Sequence, residues 1–445
     1  MKAVTNFSFS SSILVIPEIM ISKQSYVNGI SMLFIGILGL SLGFVFAITT
    51  YSLTFLYQGI ELISYFLIFY ALFSLIKIRV NHSYFSLMVS IYLLWQILIL
   101  ARGDFTDLTY FDLKQLLFDL NYGGFVLFIP VIAFLPLKLI VFKKLFEVIA
   151  IMGIIFLCLA FFNLPVLLNP DLMDLDSLGM VETYAKYLVV PVGILAINFD
   201  LLEKRYKILV VITLLSILFF SIFRARRGLI LIQLSIIALS LIIHFYKSNR
   251  KLSILTFFAY ALLSFGTYFS SNTVLFELSF LENISERGFE NTRKYVENCF
   301  FNDMNLIDWV VGKGFNAGYH CPGIDDSVFK DSIRTVIETD YLQLIMMGGI
   351  VNVVLLLLCI FPALYLGLFK SNSIVAKSLV LWICIWLISL YPANVYSLNL
   401  YHISIWICVG FCYSKSFREL SQEEIRVYFL KEINPNKFLS KSGKS

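Results

Sequence analysis

The sequence predicts an all-α protein that crosses a membrane many times. Its 445 residues are 59% hydrophobic and only 14% charged, and the mean hydropathy is +0.85. A water-soluble protein of this length would need many more charged side chains to cover its surface. Long apolar runs, separated by charged or turn-forming segments, recur along the chain and are long enough to cross a bilayer.

About twelve such runs are predicted. They begin near Ile30, Tyr51, Tyr84, Gly124, Phe146, Thr183, Tyr206, Leu229, Leu252, Asp340, Ser378 and Tyr401. Most interruptions are short, but residues 102–123 and 163–182 form acidic loops, and residues 270–334 form one large loop between the ninth and tenth runs. We therefore treat residues 1–445 as a single membrane domain with a basic tail at residues 415–445.

Lysine and arginine residues indicate the orientation, because they collect in the cytoplasmic loops of membrane proteins. When the spans are counted in order, most of the basic clusters fall on one side of the membrane. The sequence thus predicts both termini in the cytoplasm and the loop at residues 270–334 on the outer side. Cys299 and Cys321 of this loop can form a disulfide in an oxidising compartment or remain free thiols.

A group of three arginines, Arg224, Arg226 and Arg227, breaks this charge rule, because the alternation of sides places it on the outer face. One interpretation is a miscounted span, which would return these residues to the cytoplasm. The other is an anion site. Arg224 and Arg227 lie three residues apart at the start of a helix, where they share a face and the helix N-terminus adds to their field. Forked guanidinium groups suit phosphate oxygens, so a lipid diphosphate is the expected ligand.

The outer loop adds further cations that we predict to contact the same ligand. They are Arg287, Arg293, Lys294 and Arg334. The alternative is a solvated loop surface whose glutamates balance these charges. Glu338 follows Arg334 by four residues, so the two share a face if this stretch is helical. Glu338 is then a candidate general base for a hydroxyl group, or one half of a surface salt bridge. His320 and Tyr341 complete the candidate binding residues.

Four motifs, taken in order, resemble a known family. They are ARRG at residues 225–228, an arginine followed by an aromatic at Arg293 and Tyr295, GKGF at residues 312–315, and ETDYLQLIMMGG at residues 338–349. Their order and outer placement resemble the bacterial O-antigen polymerase and ligase superfamily, which includes the Wzy-type polysaccharide polymerases. The N-terminal half of the chain resembles this family only in hydropathy.

The resemblance implies a GT-C-like membrane glycosyltransferase that works without a metal or other cofactor. Its substrate would be an undecaprenyl-diphosphate-linked oligosaccharide, joined into polysaccharide with inversion on the outer face of the bacterial cytoplasmic (inner) membrane. The resemblance also implies that Arg227 and Arg293 hold the diphosphate and that Glu338 acts on the acceptor hydroxyl. The ligase branch has histidine at the position of Glu338, which favours the polymerase branch.

Two alternative functions stay open on sequence grounds. An O-antigen ligase, which transfers polysaccharide to the lipid A core, shares the order of motifs. A flippase for lipid-linked oligosaccharides shares the number of spans, although the internal repeats typical of transporters are not found. The predicted partners are the lipid-linked oligosaccharide and the bilayer, with a chain-length regulator left open. Nucleic acid is not expected as a partner.

Overall fold

A computed structural model of the chain describes residues 23–49, 54–75, 83–105, 116, 118–119, 123–168, 184–223, 226–247, 293–323, 332–337, 339–391 and 396–431. These residues are predominantly helical. Six of the helices that they form are long and apolar enough to cross a bilayer. The predicted helical membrane protein is therefore confirmed at this level.

The first part of the chain contains eight α-helices and two 3₁₀ helices within the described ranges. They are α1 (Lys23–Thr49), α2 (Thr54–Leu75), α3 (Ser83–Ala101), a 3₁₀ helix (Gly124–Phe134), α4 (Leu139–Phe162), α5 (Leu164–Leu167), α6 (Lys186–Ile197), a 3₁₀ helix (Phe199–Leu201), α7 (Lys204–Phe223) and α8 (Arg227–Lys247).

The second part combines membrane helices with shorter elements. They are α9 (Arg293–Asp303), α10 (Leu306–Val311), β1 (Tyr319–His320), β2 (Ile333–Arg334), α11 (Asp340–Phe369), α12 (Ile374–Ser389), α13 (Leu400–Tyr413), α14 (Lys415–Glu419) and α15 (Gln422–Lys431).

Eleven of the twelve predicted runs coincide with apolar helices in the described residues. Six are the long helices α1, α2, α3, α4, α7 and α11, and five are the shorter 3₁₀ helix Gly124–Phe134, α6, α8, α12 and α13. The predicted run near Leu252 lies outside the described residues. Large apolar side chains such as Phe66 and Phe73 of α2 are exposed. In a bilayer these side chains would face lipid.

Helix α13 is the centre of the bundle, because every one of its 14 residues is buried. A helix whose residues are buried on every face is surrounded by protein and does not face lipid. At its length of about 21 Å it is shorter than the hydrocarbon core of a bilayer, about 30 Å. Since protein surrounds it, its length need not match the lipid. Trp382 and Trp386 of α12 and Trp406 of α13 are the largest side chains of this core.

Hydrogen bonds between helices show which chain segments meet at one end of the bundle. Tyr341 at the start of α11 donates its hydroxyl to the carbonyl of Leu387 near the end of α12, at 2.7 Å. The backbone N–H of Tyr396, just before α13, donates to Asp340 Oδ2 at 2.9 Å. We call this end, which contains the start of α11 and residues 387–391 and 396–400, the loop end.

The opposite end, which we call the tail end, holds the end of α11 and the starts of α12 and α14. Arg418 donates to the carbonyl of Lys370 at 3.1 Å, and Ser378 of α12 donates to Asn198 Oδ1 after α6 at 3.1 Å. Basic residues gather here, as the sequence predicted for one side. They include Lys138, Lys143, Lys144, Lys204, Arg205, Lys207, Lys370, Lys377 and Lys415.

The first residues of the predicted basic tail pack against the bundle. Ile425 and Phe429 of α15 are buried, and the Phe429 ring lies 5.9 Å from Phe142 and 5.5 Å from Phe146 of α4. The opposite side of α15 carries Glu423, Glu424 and Arg426 to the surface. The segment up to Lys431 is therefore an amphipathic helix docked on the tail end.

The first acidic loop, predicted at residues 102–123, is only partly a loop on the surface. Leu116 and Phe118 pack against the main hydrophobic core, and the carbonyl of Phe118 accepts a hydrogen bond from Tyr65 of α2 at 3.0 Å. The Phe118 ring lies 5.4 Å from the ring of Tyr65. Charged residues around Leu116 and Phe118 hide these apolar side chains in a hydropathy average, so the sequence did not show that this part of the predicted loop packs against the core. Residues 106–115, 117 and 120–122 of the loop lie outside the described residues.

Candidate functional site

A small module at the loop end carries most of the predicted loop residues. We call residues 293–323 and 332–337 the loop module. Its strands β1 and β2 pair antiparallel, with Tyr319 opposite Arg334 and His320 opposite Ile333. A disulfide joins Cys299 of α9 to Cys321 after β1, with a Cα–Cα distance of 5.3 Å. One of the two alternatives for these cysteines is thus observed.

The loop module rests on the first turns of α11 through a core of its own. Phe300, Tyr319 and Ile337 are buried together with Met346 of α11. Thr339 Oγ1 donates to Glu297 Oε1 of α9 at 3.0 Å, and the backbone N–H of Ile337 donates to Gln343 Oε1 at 2.9 Å. The first turn of α9, which begins at Arg293, is therefore fixed beside the chain on either side of position 338.

The helix expected from Arg334 to Glu338 is not observed. Arg334 belongs to β2, residues 335–337 are irregular, and α11 begins only at Asp340. Thr335, Val336 and Ile337 are β-branched, which disfavours helix and favours extended backbone. Gln343 adds to this by donating its side-chain amide to the Thr335 carbonyl at 3.2 Å. The predicted shared helix face of Arg334 and Glu338 was therefore wrong.

The structure places the other predicted loop residues in different environments. Arg334 is buried, whereas Lys294 and His320 are exposed and Tyr341 is half-buried. Arg293 begins α9, but its side chain lies outside the described residues, as do Arg287 and Glu338 entirely. Within the described ranges, no group of three or more His, Cys, Asp and Glu side chains is placed to hold a metal ion.

The described part of the arginine group, Arg226 and the backbone of Arg227, which we call the arginine turn, lies at the same end of the bundle as the loop module. Helix α7 starts at the tail end, where Lys207 Nζ lies 5.3 Å from the centre of the Phe199 ring, and its 20 residues run to the loop end. Helix α8 begins at Arg227, and the Arg226 carbonyl accepts the bond from Ile230 N–H at 3.0 Å. Arg226 is half-buried, Arg224 lies outside the described residues, and the Arg227 side chain is not described.

The GKGF motif fills a break in α11. Gly349 has φ 69° and ψ −176°, a conformation essentially restricted to glycine, and it divides α11 into two parts. The break leaves the Met346 and Met347 carbonyls without helical partners. The backbone N–H groups of Lys313 and Gly314 donate to them at 2.7 and 3.0 Å. Irregular backbone at membrane depth needs such internal partners.

Side chains in α3 and directly after its end contact the same break. Arg102 donates to the Val311 and Gly312 carbonyls at 2.7 and 3.2 Å, and Trp95 donates to the Gly348 carbonyl at 3.0 Å. Partial burial lowers the pKa of Arg102 from its usual value. Because arginine starts from a pKa above 12, the guanidinium stays charged at neutral pH. Arg102, which the sequence analysis placed at the start of an acidic loop, therefore holds the GKGF turn in position through these hydrogen bonds.

No family model, curated protein or solved structure matches the chain. The function therefore has to be inferred from the geometry and from the motifs.

Asp340 is a polar residue of this site that the sequence analysis missed. It is 1% exposed, accepts a hydrogen bond from Tyr396 N–H, and directly follows Thr339, which contacts Glu297. The Tyr396 hydroxyl lies 3.3 Å from the hydroxyl of Tyr92, and burial raises the pKa of Tyr396 to about 12. The Tyr396 hydroxyl therefore stays protonated at neutral pH. The sequence contained a signal for this residue, because an aspartate at the start of an apolar membrane run is a candidate functional residue.

A small cavity of about 20 Å³ lies between α1, α4, α6 and α13 at the loop end and was also missed. Its lining is mainly apolar, including Leu40, Phe44 and Leu398, and Tyr187 and Asn399 supply polar groups. The Tyr187 hydroxyl accepts from Ser397 at 3.1 Å. Residues from four helices meet here, so no single motif could have revealed the cavity.

Breaking the disulfide should loosen the loop module. In the double variant Cys299→Ser, Cys321→Ser, α9 loses its covalent link to β1, which in the chain-entropy view costs about 3 kcal/mol locally. We expect limited proteolysis in sealed vesicles to cut the loop module at least about tenfold faster than in the wild type. Cys158→Ser, which removes an exposed free thiol of α4, is the matched control. Equal cleavage of double variant and control would show that the disulfide does not hold the module.

Proposed function

We propose that this protein is a surface-polysaccharide polymerase. It would join undecaprenyl-diphosphate-linked repeat units on the outer face of the bacterial cytoplasmic membrane. The observation that carries the proposal is the link between α9 and α11. The Glu297–Thr339 bond and the Cys299–Cys321 disulfide hold the position of Arg293 beside the chain around Glu338. The motifs that resemble the polymerase family assign both Arg293 and Glu338 to the reaction, although the two residues are 45 positions apart in the sequence.

The arginine turn supports the proposal through its position. It lies at the loop end with the loop module, and α12 packs against both α8 and α11. The N-terminus of α8 adds the partial positive charge of its free N–H groups to that of Arg226 and Arg227. A diphosphate headgroup at the bilayer surface is the ligand that such a group would attract.

In the proposed reaction, Arg227 and Arg293 bind the diphosphate of the growing lipid-linked chain. Glu338 takes the proton of an acceptor hydroxyl on the incoming lipid-linked unit, and the hydroxyl oxygen forms a bond to the anomeric carbon from the opposite face. The bond from that carbon to the diphosphate breaks, and the diphosphate leaves with the electron pair. Arginines stabilise the charge that develops on the leaving group. The product is longer by one repeat unit, with inverted configuration.

The proposed orientation has the tail end in the cytoplasm. The basic residues of the tail end favour this side. A disulfide in the loop module favours an oxidising compartment for the loop end, which fits the outer side of the cytoplasmic membrane. Both termini would then be cytoplasmic, and the loop module would meet substrate after its transfer across the membrane.

Deletion of the gene in its host organism tests the proposal. The readout is the length distribution of surface polysaccharide on a gel. We expect lipid cores that carry a single repeat unit, with a full ladder restored by the wild-type gene. Uncapped cores together with long lipid-linked chains would instead indicate a ligase, and a complete lack of repeat units on the outer face would indicate a flippase.

A lipid-linked oligosaccharide flippase is the second candidate, because several membrane helices are broken or short. Helix α11 is interrupted at Gly349, and the 3₁₀ helix Gly124–Phe134 has only 11 residues. Discontinuous helices are common in transporters, where they line the substrate site. In this protein the GKGF turn forms hydrogen bonds with the carbonyls at the break in α11. This favours a break that keeps one conformation over one that moves during transport.

A further inference from the structure

Helix α10 exposes apolar side chains although it belongs to a loop predicted to be polar. Leu306 is 81% exposed, Ile307 is 71% exposed and Val310 is 47% exposed. Phe301 at the end of α9 adds a further exposed ring. Exposing three neighbouring large aliphatic side chains of one short helix to water is unfavourable. Such a patch indicates contact with a membrane or with another protein surface.

The position of α10 along α11 gives its depth. The part of α11 from Gly349 to Phe369 is about 30 Å long, which equals the thickness of a bilayer hydrocarbon core. Lys370 follows at the tail end, where a cation marks the membrane surface. The other edge of the hydrocarbon core then lies near Gly349. Helix α10 packs at this level, because the Val310 carbonyl touches the backbone of Gly349.

The exposed surface of α10 continues the lipid-facing surface of α11. Below the break, α11 exposes a stripe at helical spacing that comprises Ile350, Val354, Leu358, Phe361 and Tyr365. Val310 adjoins the start of this stripe. Polar groups lie on the other side of α10: Asn305 caps the helix and forms a reciprocal capping box with Asp308, and Lys313 forms an ion pair with Asp303.

We infer that α10 inserts Leu306, Ile307 and Val310 into the boundary between headgroups and acyl chains of the leaflet at the loop end. A short helix with one apolar and one polar side lies in the membrane interface in this way. The partner is the lipid surface itself. Since α9 is connected to α10 by two residues, the insertion fixes the C-terminal end of α9 next to the membrane surface. The inference stands whether or not the protein is a polymerase.

Spin labels test this inference in the full-length protein. Cys158 and Cys384, the free cysteines that are not buried, are first replaced by alanine, and one cysteine is introduced at a time as Leu306→Cys, Ile307→Cys or Asn302→Cys. Asn302 is an exposed polar residue of α9 and serves as the matched control. The labelled proteins are reconstituted into vesicles of phosphatidylethanolamine and phosphatidylglycerol. Collision rates with oxygen, which enriches in the acyl region, and with a water-soluble nickel complex are measured.

We expect the labels at positions 306 and 307 to collide with oxygen and to be shielded from nickel at least about fivefold better than the label at position 302. Equal access of nickel to positions 307 and 302 would place α10 in water and overturn the inference. Exclusion of both reagents from position 307 would also overturn it, because protein, either another segment or a second copy, would then cover the helix. An intact Cys299–Cys321 disulfide in each variant shows that the loop module is folded.

Discussion

Cells that carry Glu338→Gln in place of the wild-type protein should lose the polysaccharide ladder and retain cores with one repeat unit. Glutamine keeps the size of the side chain but cannot accept the acceptor proton. A positioned general base contributes about 100-fold to 10,000-fold in rate, so elongation should fall by at least about 100-fold. Membrane levels of the variant, measured by immunoblot, should equal those of the wild type.

Arg293→Ala and Arg227→Ala should also abolish the polysaccharide ladder, because each weakens stabilisation of the diphosphate leaving group. Each substitution removes a guanidinium that we place on the diphosphate, and losing one such electrostatic contact costs about 100-fold to 1000-fold in rate. Lysine should restore only part of the activity, because a point charge cannot form the forked contact. Arg205→Ala at the tail end is the matched arginine control and should keep the full ladder. Normal ladders in both Arg293→Ala and Arg227→Ala cells would contradict the proposed site.

Substitution of Gly349 should destabilise the protein more than any change elsewhere in α11. An alanine there would adopt a backbone conformation that costs about 1–3 kcal/mol, and its Cβ would overlap the Val310 carbonyl. Overpacking adds about 1–3 kcal/mol. The GKGF turn would have to leave the break, which would free the Met346 and Met347 carbonyls. We expect Gly349→Ala to lower the thermal unfolding temperature in detergent and to reduce membrane levels several-fold.

Three glycine controls separate the causes of this effect. Gly323 has φ 79° but no atom within 4 Å of an added Cβ, so Gly323→Ala measures backbone strain alone. Gly348 is helical, and its Cβ would overlap Ile99, so Gly348→Ala measures crowding alone. Gly59→Ala in α2 has neither problem. Gly349→Ala should cost more than Gly323→Ala or Gly348→Ala, and a Gly349→Ala protein as stable as Gly59→Ala would show that the break is not constrained.

Hydropathy predicted the membrane helices well because each of them must cover a long stretch of backbone with apolar side chains. It did not reveal that Leu116 and Phe118, which have charged neighbours, pack against the core. It also could not show that α13 is central and wholly enclosed, since a helix in the core and one facing lipid have the same apolar composition.

The candidate site was only partly predictable for a different reason. Motif order brought Arg293 and Glu338 together, and the structure adds the Glu297–Thr339 contact that fixes this stretch. The role of GKGF depends on tertiary contacts, because its N–H groups complete a helix broken 35 residues later, at Gly349. Such a contact between distant segments leaves no local pattern. The expected helix at residues 334–338 failed because β-strand pairing with Tyr319 overrode helical spacing.

The most direct test uses purified protein reconstituted into vesicles with a defined undecaprenyl-diphosphate-linked repeat unit as the sole substrate. Polymerase activity predicts lipid-linked products that increase by one repeat unit at a time, together with release of one undecaprenyl diphosphate for each bond formed. Glu338→Gln protein in the same vesicles should form no such product. If the wild-type protein instead moves the repeat unit across the membrane and forms no glycosidic bond, the polymerase assignment is wrong and the protein is a transporter.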